Sequence, residues 1–176
     1  MGASRQSKIA IINALENSIV AMMKEMPFDS FSVKDLCERA GVGRSSFYRH
    51  YTSKEDVVCS MLLHLWKAWC NAEGIKDSAR ISPSSAREFL RHCYENKEIF
   101  DLIHRNQLGV LFPHVIEKNH EGGLHDYRVL FFTYGVFGIL REWWSRGCVE
   151  PLEELTHVLN SLSILDDRIG PRPNSD

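Results

Sequence analysis

Apolar residues recur along the first part of the chain at helical intervals. Ile9, Ile12, Leu15, Ile19, Met22 and Met26 step by three and four, which gathers them on one stripe of an amphipathic helix that stops at Pro27. Val57, Val58, Met61, Leu62, Leu65, Trp66 and Trp69 repeat the pattern. They predict a second long helix, from a cap at Ser53 to about Glu73, long enough to connect two domains. Gly74 and the polar stretch 76–85 break it, and Ser82-Pro83 reads as the cap and first residue of the next helix. Further helices are predicted at about 83–96, 97–106, 108–119, 126–146 and 152–166. Nowhere does the alternation of a strand appear, so the fold class is all-α.

Between the two long helices lies a pair of short ones. Ser32 can cap the first through the amide of Asp35, whose carboxylate can return to the Ser32 amide in a capping box. Gly41 can take the left-handed conformation that stops this helix, and with Val42 and Gly43 it makes a three-residue turn. A second short helix is expected over 44–51. Its apolar members Val42, Phe47 and Tyr51 face back onto Leu36 and Ala40, which leaves Arg44, Ser45, Tyr48 and Arg49 on the other face. These are donors suited to base edges and phosphates in a major groove.

Charge sharpens that expectation. Residues 39–54 carry four permanent positive charges and no acidic residue, whereas a merely solvated helix face mixes signs. Residues 1–54 hold eight Lys or Arg against five Asp or Glu; the remainder holds thirteen against eighteen, within a formal net charge of -2. The basic end is expected to meet DNA and the acidic remainder to do something else.

The run Phe-Ser-Val-Lys-Asp-Leu-Cys-Glu-Arg-Ala-Gly-Val-Gly-Arg-Ser-Ser-Phe-Tyr-Arg-His-Tyr-Thr-Ser-Lys-Glu-Asp-Val resembles the DNA-binding domain of the TetR family of transcriptional regulators. The resemblance covers roughly residues 8–62 and is carried by Phe47-Tyr48, His50-Tyr51 and Ser53-Lys54-Glu55-Asp56. It implies that Arg44, Ser45 and Tyr48 lie near base edges and that Ser46, His50 and Lys54 lie near phosphates, Lys54 at an anion-favouring helix N-terminus. One departure is Gly43, where the family often has Ser or Thr; the cap of the recognition helix is weaker for it.

The helix at 126–146 is apolar nearly all round and needs cover on two sides. Gly135 and Gly138 leave a notch for another backbone, and Leu152, Leu155, Val158, Leu159, Leu162 and Leu165 stripe the helix that follows. Phe-Phe-Thr-Tyr-Gly-Val-Phe-Gly-Ile-Leu-Arg-Glu-Trp-Trp-Ser-Arg-Gly resembles one C-terminal subgroup of that family, in which the last two helices of two copies form a four-helix interface. Gly135, Gly138, Trp143, Leu155, Leu159 and Leu162 are the expected interface residues. The resemblance also implies a small-molecule effector in the C-terminal half, with Phe89, Cys93, Phe100, Ile103, His104, Leu108, Phe112, Phe131 and Tyr134 as candidate lining.

Other chemistries find little support. The longest apolar run, 129–144, is interrupted by Tyr134, Arg141 and Glu142 and falls short of the roughly twenty residues that a membrane span requires. Residues 1–7 show no apolar leader core. Five cysteines without a C-x-x-C pair suit free thiols in a reducing cytoplasm. His120 and His125 are five apart across two glycines, not four apart on a helix as a zinc-protease motif needs. Asp101 with His104, and His114 with Glu117, lack a third metal ligand in reach. Neither catalysis, nor a metal, nor a cofactor is expected. The expected organisation is a helix-turn-helix domain over 1–55, a helical regulatory and dimerisation domain over 56–169, and a disordered tail over 170–176. The expected function is that of an effector-responsive repressor, a homodimer on a pseudo-palindromic double-stranded operator, cytoplasmic and nucleoid-associated when bound. The alternative is an activator or coregulator whose acidic C-terminal domain binds a protein.

Overall fold

The computed structural model describes residues 2–74, 83–119 and 127–168, and every regular element among them is helical. In chain order these are α1 (Gly2–Glu25), α2 (Val33–Ala40), α3 (Arg44–Phe47), α4 (Lys54–Ala72), α5 (Pro83–Glu95), α6 (Lys97–Arg105), α7 (Leu111–Asn119), α8 (Tyr127–Ser145) and α9 (Leu152–Arg168). Single 3-10 turns sit at Phe28–Ser30 and Leu108–Val110. The tail over 170–176 and the His120–His125 stretch lie outside the described residues.

By packing, the chain divides into two compact units. Unit 1 comprises Met1–Ala68 with Glu98–Asn119, and unit 2 comprises Trp69–Lys97 with His120–Asp176. This division is by packing alone.

In unit 1, Leu15, Ile19, Met22 and Met23 of α1 are buried with Leu36 and Cys37 of α2, Phe47 of α3, and Val57, Val58, Met61 and Leu62 of α4. The apolar stripe of α1 is shorter than its periodicity suggests. Ile9 and Met26 are exposed, because burial requires a facing helix and α2 is only two turns long. Further along, Trp66, Phe100 and Phe112 meet edge to face, at centroid separations of 6.2 and 5.8 Å.

In unit 2, α5 packs on α9. Phe89, Leu90 and Cys93 of α5 are buried, as are Val136, Leu140 and Trp143 of α8 and Leu159 of α9. α8 therefore has one covered side. Tyr134 and Gly135 are exposed on another, and no described helix is long and apolar enough to cross a membrane.

Candidate nucleic-acid interface

The helix-turn-helix is built by local hydrogen bonds. Ser32 donates its backbone N–H to the Asp35 carboxylate at 2.8 Å and its hydroxyl at 2.7 Å, while the Asp35 N–H returns to Ser32 Oγ at 3.3 Å. This is a complete capping box, and those bonds from Ser32 hold the Asp35 carboxyl below its usual range. At the other end Gly41 has φ +64°, and the Val42 N–H reaches back to the Cys37 carbonyl at 3.0 Å, so the helix closes in a Schellman-type turn. A side chain at Gly41 would be strained by that backbone conformation, whatever the space around it.

Gly43 caps α3 with extended backbone, φ -65° and ψ 140°, and supplies no side-chain oxygen. The Ser46 and Phe47 amides donate to the Gly43 carbonyl, which leaves those of Arg44 and Ser45 for solvent or an external acceptor. The recognition segment is also less regular than expected. α-Helix covers Arg44–Phe47, not 44–51, and the chain continues as a turn in which the amides of His50 and Tyr51 both donate to the Phe47 carbonyl, at 2.8 and 3.0 Å. The reason lies just beyond. Asp56 takes the amides of Thr52 and Ser53, at 2.7 and 3.2 Å, together with the Thr52 hydroxyl, so the helical ladder cannot pass this point. That set, with the Thr52 hydroxyl foremost, also keeps the Asp56 carboxyl below its usual range. Ser53 Oγ accepts the Asp56 N–H at 3.2 Å and starts α4.

The two faces of this segment separate as expected. Phe47 and Tyr51 are buried, and the Tyr51 hydroxyl lies 3.1 Å from Ser60 Oγ. Arg44, Ser45, Tyr48 and Arg49 are exposed, Ser46 and His50 half-buried. Tyr48 is 60% exposed although its ring sits edge to face on Phe47, 5.2 Å away, so its hydroxyl is presented outward from a held ring. Arg49 folds over its own segment, donating to the Ser45 carbonyl at 3.3 Å and to Ser46 Oγ at 2.8 Å.

The four cations of residues 39–54 are not equivalent. Arg39 pairs with Glu25 of α1, at 3.0 Å for one of its two contacts. The Lys54 side chain is half-buried and reaches into the domain. Its ammonium donates to the carbonyls of Phe28 and Phe31 at 2.7 and 2.6 Å, over the rings of the same two residues. With two of its three donors engaged there, it is a strut of the domain. Arg44 and Arg49 remain on the open face. Sequence reasoning missed the Lys54 strut and the Arg39–Glu25 pair, because both join positions far apart in the chain and leave no periodic trace.

Residues 18–61 match the family model of bacterial regulatory proteins, tetR family. That segment is a tetR-family helix-turn-helix segment. The match takes in α2, the turn, α3 and the start of α4, the elements whose caps and faces are described above, and it stops short of the C-terminal half. No curated protein matches the chain. A segment of this kind supports a DNA-binding transcriptional regulator.

The remaining candidate residues fall elsewhere. Phe100, Ile103, His104, Leu108 and Phe112 belong to unit 1, whereas Phe89, Cys93 and Tyr134 belong to unit 2; the side chain of Phe131 lies outside the described residues. Phe89, Cys93, Phe100, Ile103, Leu108 and Phe112 are buried, and burial pushes the Cys93 thiol well above its ordinary value. His104 is half-buried and Tyr134 is 52% exposed, an open position rather than an enclosed anchor. All five cysteines are free thiols. Among the described residues no three His, Cys, Asp or Glu side chains are grouped to hold a metal.

α8 and α9 frame a groove of about 480 Å³, lined by Gly135, Gly138, Ile139, Glu142, Trp143, Arg146, Glu150, Glu154, Leu155 and Val158. A Cβ added at Gly135 or Gly138 would meet nothing within 4 Å, so among the described residues no other backbone fills the notch. Two expected interface residues turn inward instead. Trp143 is 2% exposed, donates its indole N–H to the Glu150 carbonyl at 3.0 Å and stacks on Tyr94; Leu159 is 4% exposed. The Leu162 side chain lies outside the described residues.

Proposed function

We propose that this regulator is an effector-responsive repressor acting as a homodimer on a pseudo-palindromic operator, with a DNA-binding head over 1–55 and a regulatory and dimerisation region over 56–169. The observation that carries the reading is the open face of Arg44, Ser45, Tyr48 and Arg49, presented from a segment whose other side is sealed into the core by Phe47 and Tyr51. Arg44 reads a base edge, Ser45 and Tyr48 lie beside it, and Ser46, Arg49 and His50 serve phosphates. Lys54 contributes to the same interface from inside the domain.

The homodimer is supported by the α8–α9 groove and its unfilled notch at Gly135 and Gly138, where a second copy would pack Ile139, Leu155 and Val158 against its own. Effector response is the least supported part. It rests on the buried aromatic residues of the C-terminal half, and a metabolite that raises the thermal stability of the full chain while releasing it from DNA would establish it. The whole reading is tested by selecting bound duplexes from a randomised library with the full-length chain. Enrichment of an inverted repeat whose half-sites lie about one helical turn, or a multiple of it, apart is expected; enrichment of single half-sites or of no sequence would refute it.

A further inference from the structure

Phe28 is the residue at which three parts of unit 1 meet. Its N–H donates to Asn106 Oδ1 at 2.7 Å, joining positions 78 residues apart. Its carbonyl accepts from Lys54 Nζ at 2.7 Å, and its ring, 3% exposed, lies 4.3 Å from the same ammonium. Both polar groups of one residue are thus held by side chains from distant parts of the chain, the start of α4 and the residue that follows α6.

Each of those side chains is itself fixed. Asn106 directly follows α6, and its Nδ2 donates to the Leu102 carbonyl at 2.8 Å, leaving Oδ1 aimed at Phe28. Gln107, at φ 59°, reverses the chain immediately afterwards. Lys54 is the first residue of α4 and also binds the Phe31 carbonyl, one residue before the Ser32 cap of α2. One ammonium therefore ties the start of α4 to the approach of α2. The recognition segment 44–51 hangs between those two helices and has no cap of its own at Gly43. Its pose depends on how they are held.

We propose that Lys54 and Asn106 are positioning residues for operator binding, and that the Phe28–Phe31 turn is the joint through which the end of α6, outside the helix-turn-helix, holds the recognition segment in its DNA-fitting pose. The inference rests on the DNA-binding reading above. Removing the Asn106 acceptor leaves a part-buried N–H unmatched, a larger disturbance than the loss of an exchangeable surface bond. Anything that displaces the end of α6 then changes operator affinity, and DNA binding opposes that displacement by the same factor. The exposed Lys24–Glu98 pair also joins α1 to α6 and adds little by comparison.

The test uses the full chain, the duplex it selects from a randomised library and a scrambled duplex of equal length. Asn106→Leu keeps the side-chain shape and removes the acceptor. It should weaken binding to the selected duplex by about tenfold or more, leave scrambled-duplex affinity and the salt slope unchanged, and speed hydrogen exchange at the amides of residues 46–51. Asn106→Asp keeps an acceptor oxygen but loses the Nδ2 donor that fixes it on the Leu102 carbonyl, so it should recover only part of both effects. Lys54→Met should likewise lower selected-duplex affinity with an unchanged salt slope, whereas a lost phosphate contact would reduce that slope by about one unit. Wild-type affinity in Asn106→Leu, or a Lys54→Met variant that weakens both duplexes equally with a smaller salt slope, would overturn the proposal. If Asn106→Leu does not fold, Asn106→Ser is put to the same two readouts. If the wild-type chain enriches no duplex, the DNA reading fails instead, and hydrogen exchange at residues 46–51 still decides whether the joint exists.

Discussion

Between Ser32 and Asp56 polar side chains close helix ends onto their own backbone, whereas α8 and α9 are held mainly by packing. In the first region Ser32 with Asp35, Gly41, and Ser53 with Asp56 each fix a start or a stop within a few residues. In the second, Val136, Leu140, Trp143 and Leu159 are buried, and the polar contacts include one indole-to-carbonyl bond, hydroxyl-to-carbonyl bonds of Ser145, Thr156 and Ser161 within their own helices, and the pairs of Arg146 with Glu142 and Glu150. Surface pairs of that kind contribute little. Local bonds complete a fold inside one chain. Packing leaves a surface whenever the apolar residues outnumber those that the chain can cover, and Tyr134, Ile139 and Val158 are that remainder here.

The strongest way to break this contrast is to place a charge in the groove. Val158 is 48% exposed, so Val158→Asp should leave the single chain folded while a facing copy would have to bury a carboxylate. Sedimentation should show monomers at concentrations where the wild type is dimeric. Affinity for the selected duplex should fall by about 10²–10⁴, because the second head no longer benefits from the effective concentration that the first creates. A variant that stays dimeric with full affinity would mean that the α8–α9 surface is covered by something else.

On the other side of the contrast, Arg44 makes no hydrogen bond or ion pair among the described residues, so removing it should spare the fold. Arg44→Ala is expected to cost about 1–3 kcal/mol on the selected duplex and to relax preference at one base pair, with little change on scrambled DNA. Equal losses on both duplexes would make Arg44 a phosphate contact.

Much of the first region was legible in the sequence because its determinants are local. The capping box needs only Ser32 and Asp35, the stop needs only Gly41, and period 3.6 assigned Phe47 to the core. The helices of the second half were legible for the same reason; α8, expected at 126–146, runs Tyr127–Ser145. What escaped is non-local. Lys54 reads as a surface cation until Phe28 and Phe31 are folded beneath it, and Asn106 carries no signal until α6 ends beside Phe28. Trp143 and Leu159 could not be divided from Gly135 and Val158 by composition, since a core and an interface draw on the same residues.

Two glycines in the turn allow a finer test of local control. Gly41 sits at φ +64°, where an L side chain costs roughly 1–2 kcal/mol. Gly41→Ala should lower unfolding stability by about that amount in urea titration, with no loss of packing, since a Cβ there meets nothing within 4 Å. A neutral result would show that the Val42–Cys37 bond alone closes α2.

Gly43, two residues on, should respond with the opposite sign. Its φ of -65° suits any residue, and an added Cβ would meet only Ser45 Oγ, at 4.0 Å. Gly43→Ser supplies the missing cap oxygen to α3 and restricts the unfolded chain, so stability should rise by a few tenths of a kcal/mol, about the margin of serine over glycine at a helix start. Amide exchange of Ser45 and Ser46, the second and third helical amides that a serine oxygen at position 43 would reach, should slow in step. If stability does not rise and those amides exchange as before, the first turn of α3 is set by what α2 and α4 impose on it, and local capping does not reach the recognition segment.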